Sequence, residues 1–306
     1  MTNISAKLSL SLWAAIPILS ACGGGGGGGG ATVATFVNYS QVGTNTQVSV
    51  ENGISNEIDY TYNVGTNKVT SLTNDQRGQS GAKVVVSYDA SADLGTATLT
   101  TAGGTAISWN SATDTFGTLL LNSNVEAAIS ANNQNYTLIA NPFNFGWNYQ
   151  TFGTWLTGAG TGSGKAGNYS IGAPTTGASI PTTGTATYTG ATGGRYSSAA
   201  GLDYFFSSDL SAAANYATRS VALTSTSSVV SRDLLSQSSM NALNFTGTIT
   251  YAAATNALTG TITTTGGMNG TAKGQFYGPS ANELGGSFTA AGGGLELFSG
   301  AFGAKK

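Results

Sequence analysis

Five segments between residues 243 and 303 repeat one pattern, apolar-x-Gly-x-apolar: Phe245-Gly247-Ile249, Leu258-Gly260-Ile262, Ala272-Gly274-Phe276, Leu284-Gly286-Phe288 and Phe298-Gly300-Phe302. The central glycines recur at intervals of 13, 14, 12 and 14 residues. Between the apolar positions stand Thr246, Thr248, Thr259, Thr261, Lys273 and Thr289. Strict alternation of this kind marks a strand with one face inward. An interval near 13 leaves about eight residues for a strand and about five for a turn, the spacing of an antiparallel meander. The intervening "AAATN", "GGMN", "GPSAN" and "AGGG" have the Gly, Asn and Pro that turns use.

A glycine in the middle of a strand weakens it. A small closed barrel supplies the reason to keep one, because inward side chains converge on the axis and must be staggered by size. Gly184-Ala186-Tyr188 has the same phase, and Asp203–Leu210 and Thr218–Ser225 are two further strand candidates. Eight strands are enough to close such a barrel and remove its edges.

Residues 31–142 offer shorter strand candidates: Thr32–Tyr39, Gln47–Glu51, Glu57–Tyr62, Ala82–Tyr88, Ala97–Thr101, Ala106–Trp109 and Tyr136–Ala140. The run Val84-Val85-Val86 suggests burial on both faces. "SNVEAAIS" (123–130) reads as a short helix capped by Ser123 or Asn124. Pro142 and the aromatic stretch after it set a boundary. The fold class expected is therefore all-β: a small N-terminal β-rich domain, 31–142, and an eight-stranded antiparallel, soluble β-barrel in 143–306.

Composition excludes several functions. Histidine is absent and Cys22 is the one cysteine, so His-based catalysis, thiolate metal cages and disulfides are all ruled out. Only 8% of residues are charged, and beyond Cys22 the net charge is −3, since Lys7 is the one charged residue before it. That gives no electrostatic footprint for nucleic acid. No cofactor is expected, and the chain is read as a non-enzyme: Asp203, Asp209, Glu283 and Glu296 fall at strand ends and turns without a catalytic motif.

Three segments resemble a known family. "PTTGTATYTGATGG" (181–194), "GQFYGPSANELGGSF" (274–288) and "GAFGAKK" (300–306) look like the β-barrel domain of transferrin-binding-protein-B-like surface lipoproteins, and "YQTFGTWL" (149–156) resembles the aromatic strand that leads into it. The resemblance implies a single lobe, a β-rich handle followed by an eight-stranded barrel, displayed outside the cell. It also implies a ligand, either an iron-carrying protein or haem, and a neighbouring TonB-dependent receptor. No partner-contacting residue carries over, because the matching motifs are structural.

The leader fits that picture. Leu8 to Leu19 is an apolar core too short to span a membrane as a helix, so residues 1–21 read as a signal peptide. "Leu19-Ser20-Ala21-Cys22" resembles the bacterial lipobox, which implies a diacylglycerol on the Cys22 sulfur. Gly at position 23 implies an outer-membrane destination in such lipoproteins. Gly23–Gly30 then forms a leash of roughly 16 Å, and 22–30 is read as anchor and tether.

Two places are candidate ligand surfaces. Phe143, Phe145, Trp147 and Tyr149 alternate, which would put four aromatics on one side of a strand. They read either as filling between the two domains or as an exposed binding face with Trp147 and Tyr149 at its centre. "GATGGRYSSAAG" (190–201) reads as a glycine-rich loop presenting Arg195 and Tyr196. "SSVVSRDLLSQSSMNAL" (227–243) reads as a short helix closing one barrel end, or as a lid. The function expected is a surface lipoprotein that binds an extracellular protein or small ligand; the alternative is a structural or adhesive coat protein with no iron role.

Overall fold

The computed structural model describes residues 47–89, 94–119 and 122–306. The expected signal peptide, Cys22, the glycine tether and the strand Thr32–Tyr39 lie outside the described residues. Two nine-stranded antiparallel sheets make up the fold.

The second sheet is the barrel. Its strands are β10 (Thr185–Ser197), β11 (Asp203–Asn215), β12 (Ser220–Ser231), the two-residue β13 (Ser238–Ser239), β14 (Phe245–Thr250), β15 (Leu258–Thr264), β16 (Asn269–Tyr277), β17 (Glu283–Ala291) and β18 (Leu297–Lys305). Every long strand pairs with the next along the chain, β10 pairs with β18, and so eight of them close a ring. The glycine pattern explains how the ring is filled. Gly247 stands opposite Ile262, Gly260 opposite Ile249, Gly286 opposite Phe302 and Gly300 opposite Phe288. Each large side chain thus enters the axis over a neighbour that has none. Phe206, Phe245, Phe288 and Phe298 fill one level, with Phe206–Phe298 and Phe245–Phe288 centroids 4.5 and 4.9 Å apart. Near the other end Tyr188 donates to Ala281 O at 2.6 Å and meets Tyr216 OH at 2.7 Å, beside Phe276. Outward from β14 and β15 point exposed threonines, Thr246, Thr248, Thr259 and Thr261, where a membrane-spanning barrel would carry an apolar band.

The first sheet comprises β1 (Gln47–Asn63), β2 (Lys68–Asp89), β3 (Leu94–Thr100), β4 (Ala106–Asn110), β5 (Thr115–Leu119), β6 (Asn122–Ile129), β7 (Tyr136–Ala140), β8 (Gln150–Leu156) and β9 (Ser163–Gly172), in the order β4-β3-β2-β1-β9-β8-β7-β6-β5. Its two outermost strands, β4 and β5, are consecutive in the chain. A flat sheet of nine strands would hold its edges about 38 Å apart, whereas residues 111–114 reach less than about 20 Å. The sheet therefore curls on itself. Trp109 of β4, Val84 of β2, Trp155 of β8 and Tyr169 of β9 meet in one buried cluster inside the curl. The corner between β4 and β5 is tied by Asp114, whose Oδ2 accepts from Asn110 N at 2.7 Å.

Several local expectations are corrected. The segment 123–130 is not a helix but lies in β6, because its backbone pairs on both sides, with β5 and β7. The alternating aromatics 143–149 are not a strand. Asn141 caps a one-turn helix, α1 (Pro142–Phe145), with Pro at its start, and Gly146 ends it in the left-handed region at φ 65. The expected boundary at 142 falls inside the first sheet, since β8 and β9 pair with β7 and β1. The stretch 190–201 is strand to Ser197, not loop. Its glycines let strands approach: a Cβ on Gly190 would lie 2.0 Å from Gly303 O, and one on Gly194 would lie 2.2 Å from Ser299 O. The segment 227–243 completes β12, turns on Asp233, whose Oδ1 accepts from Leu235 and Ser236 N, and reaches a 3-10 turn that buries Leu243. Of the valine run, Val84 is buried in the first sheet's core.

Gly300→Leu tests the size stagger, since an added Cβ would lie 2.7 Å from the rings of both Phe206 and Phe288. Urea unfolding is expected to show a loss of about 1–3 kcal/mol or more. Gly293→Ala, where nothing stands within 4 Å of the added carbon, should stay within about 0.5 kcal/mol of wild type.

Candidate functional site

A cavity of about 240 Å³ opens where the outer face of the first sheet meets one end of the barrel. Strand alternation sends Ile58 and Tyr60 of β1 toward it, while Glu57 turns the other way to Thr101 and Thr105. From the barrel come Arg195 and Ser197 of β10, and Asp203 and Phe205 of β11. Register explains their company: Arg195 lies opposite Phe205, and Ser197 opposite Asp203, all on the outward face of one hairpin.

Arg195 is the centre of the cavity. Its guanidinium donates to Tyr136 OH and to Asp203 Oδ2 and forms an ion pair with that carboxylate. Its Cζ sits 4.9 Å from the Phe205 ring centroid and 5.9 Å from that of Tyr136. Burial pushes the Tyr60 phenol up to about 12 and raises that of Tyr136 as well. Both therefore present neutral hydroxyls at physiological pH. Tyr60 donates to Thr157 O at 2.7 Å. Among the described residues no group of three or more Asp, Glu, His or Cys converges to hold a metal.

The other sequence candidates go elsewhere. Tyr196 points into the barrel, stacks near Tyr204 and donates to Glu296 Oε1 at 3.0 Å. Trp147 is buried between Phe145 and Phe152 and packs with Ala301 of the barrel, which is the filling arrangement. Tyr149 is half-buried, Phe143 is exposed and Asp209 is exposed on β11. So Arg195 alone of the four candidates lines the cavity. Tyr136 and Phe205 were not singled out from the sequence, and Asp203 was noted only as a carboxylate without a motif; a hairpin register drawn across 197–203 would have placed Asp203 and Phe205 beside Arg195.

Residues 180–306 match a family model described as the C-lobe and N-lobe β-barrels of Tf-binding protein B. The matched residues include all the strands of the barrel, which is therefore similar to the barrels of that family. The match begins at Ile180, so the motif 149–156, which lies in β8, is outside it. Solved structures that resemble the chain include a mutant of the vaccine antigen Transferrin Binding Protein B from Haemophilus parasuis Hp5, at 11% identity and TM-score 0.44, covering 83% of this chain and 76% of that one. Intact Ap-TbpB, with N and C lobes, has 11% identity and TM-score 0.42 over 87% and 79% of the two chains. The crystal structure of a surface lipoprotein resembles it at 15% identity and TM-score 0.41 over 82% and 98% of the two chains. No curated protein matches the chain in sequence.

The barrel meets the first sheet through a polar seam. Asn56 Nδ2 donates to Phe288 O, Thr289 Oγ1 and Ser299 Oγ at 3.1–3.2 Å, while its Oδ1 accepts from Asn168 N and Nδ2. A second set of glycines, in the outward phase, makes room: a Cβ on Gly285 or Gly303 would lie within 2.6 Å of Gln150. At the far end of the seam the buried Glu283 carboxylate accepts from Asn148 N at 2.6 Å and Tyr149 N at 3.0 Å, holding the corner after α1. Lys305 donates to Gly146 O at 3.1 Å beside it.

Burial outweighs those donors and raises Glu283 from 4.5 to about 7. The folded protein then binds this proton more tightly than the unfolded chain. The resulting stability is complete below about pH 4.5 and is lost as pH rises through 7. At about 1.4 kcal/mol per unit the change is roughly 3 kcal/mol. Denaturant unfolding of wild type and Glu283→Gln from pH 5 to 8 is expected to show wild type declining more steeply. Parallel curves would refute this assignment.

Proposed function

We propose that the chain is a lipoprotein of the outer membrane, anchored through Cys22, exposed at the cell surface and acting as a binding module for an extracellular protein. The observation that carries this reading is the family match over 180–306, which joins the chain to barrels of proteins that bind transferrin. Two features support it. The lipobox-like "LSAC" followed by eight glycines supplies an anchor and a leash, and the threonine-rich outer face of β14 and β15 leaves the barrel without an apolar band to embed. Among the described residues no helix is long and apolar enough to cross a membrane.

An iron-carrying protein is the partner class this reading favours, haem the small-molecule version, and a TonB-dependent receptor the neighbour that would receive the cargo. Trp147 is too deeply buried to meet a partner without rearrangement. Phe143 and Leu235, 44% and 61% exposed, offer the apolar anchors such an interface uses.

Two measurements test the proposal. Fractionation of cells expressing Cys22→Ser is expected to move the protein from the membrane to the soluble fraction, and retention in the membrane would remove the anchor. Intact cells with and without the protein are then incubated with labelled transferrin, haemoglobin and free haem. Retention of one of these only by the expressing cells is expected; equal retention by both would leave the surface location standing and sink the iron role.

A further inference from the structure

The charges that line the cavity around Arg195 do not cancel. Arg195 and Asp203 form an ion pair, but Arg232 lines the same cavity and adds a second guanidinium. Strand register brings it there: Ser231, the last residue of β12, lies opposite Phe205, and Arg232 follows it. One of its N–H groups reaches Asn67 O at 3.5 Å, and its Cζ sits 5.9 Å from the Tyr204 ring centroid. Among the described residues no carboxylate pairs with it.

The acids in its neighbourhood are engaged elsewhere. Asp233 turns its carboxylate to Leu235 N and Ser236 N of its own turn. Glu296 accepts from Tyr196 OH, and Glu57 faces away, toward Thr101, Thr105 and Lys165. Two guanidiniums against one carboxylate leave one positive charge at the cavity. A cleft with low-dielectric walls focuses such a field and favours an anion of matching charge.

The walls restrict what that anion carries. Ile58, Val69, Leu72, Leu156, Phe205 and Leu297 are apolar. Ile58, Val69 and Leu156 are buried, whereas Arg232 is exposed, so the charge stands at the mouth and the apolar surface lies behind it. The space of about 240 Å³ is smaller than the roughly 300–1,000 Å³ that drug-sized ligands occupy, which limits the body to one or two rings or a short chain. An inorganic anion would leave the apolar wall uncovered, a neutral molecule would leave Arg232 unmet, and a second negative charge would meet Asp203.

We propose that this cavity binds a small amphiphilic monocarboxylate, its carboxylate held by Arg232 at the mouth and its apolar body against Leu72, Leu156 and Leu297. Arg195, tied to Asp203 and to Tyr136, forms the fixed wall beside it. The body could be aromatic or aliphatic, since both kinds of side chain line the space. The site rests on the cavity alone, whatever the protein partner and the membrane anchor prove to be.

The full-length protein in detergent micelles is titrated with phenylacetate, indole-3-acetate and hexanoate by calorimetry and saturation-transfer NMR, with protein-free micelles as the blank. Phenylacetamide, inorganic phosphate and succinate are the neutral, apolar-free and doubly charged comparators. At least one monocarboxylate is expected to bind, and more tightly than all three comparators; the aromatic and aliphatic arms tell which body the walls prefer. Arg232→Gln should weaken it about three- to tenfold, the loss of one partly exposed charge contact, and Arg232→Lys should restore most of the affinity. Leu72 is half-buried, so Leu72→Trp can fill the space without disturbing the core and should weaken binding as well. No monocarboxylate bound above the blank, a comparator bound as tightly, or affinity unchanged in both Arg232→Gln and Leu72→Trp would overturn the proposal.

Discussion

The carboxamide of Asn56 touches both halves of the molecule, and the arrangement of everything around the cavity depends on it. From β1 in the first sheet it reaches Phe288 O, Thr289 and Ser299 on the barrel and holds Asn168 on β9. Hydrogen bonds have direction and narrow length limits, so this contact sets the angle and height at which the sheet lands. An apolar seam of equal area would stick as firmly but slide more easily. The polar seam fixes Tyr136, on the sheet, within bonding distance of Arg195, on the barrel, and a cavity between two bodies needs such fixed walls to be selective.

The barrel was legible because its signals are local. Period-two alternation needs only five residues to be seen, and an inward glycine leaves its mark at Gly247, Gly260, Gly274, Gly286 and Gly300 alike. The first sheet was legible as strands but not as a curl, since the pairing of β1 with β9 joins residues more than a hundred positions apart. Glycine also misled. In "GATGGRYSSAAG" it stands where one strand backbone crowds another, and by composition that is indistinguishable from a loop. The aromatics at 143–149 alternate as a strand would, but Asn141, Pro142 and Gly146 are a cap, a start and a stop. Local capping chemistry outweighed the alternation.

The site was half legible for a similar reason. Arg195 drew notice as the side chain at the centre of a glycine-rich stretch. Its partners could not, because Tyr136 lies 59 residues away in the chain and on the other sheet. Asp203, 8 residues on, needed only the hairpin register. The outward glycines Gly285 and Gly303 belong to the same lesson. Next to the inward glycines they read as more of the same, yet they give the first sheet its landing surface and so bring the cavity's two walls together.

The position of β1 has a mechanical consequence. This strand, which begins the described part of the chain, is not at an edge: β2 flanks it from Gln47 to Asn63 and β9 from Ile54 to Thr61. Tension applied along this strand meets one row of hydrogen bonds, to β2, as far as Gly53 and two rows, to β2 and β9, from Ile54 to Thr61. An edge strand would instead peel, one bond at a time. Asn56 lies in the doubly flanked part, so a load on this strand is shared with β2, β9 and the barrel before it reaches the seam of the curl at β4 and β5.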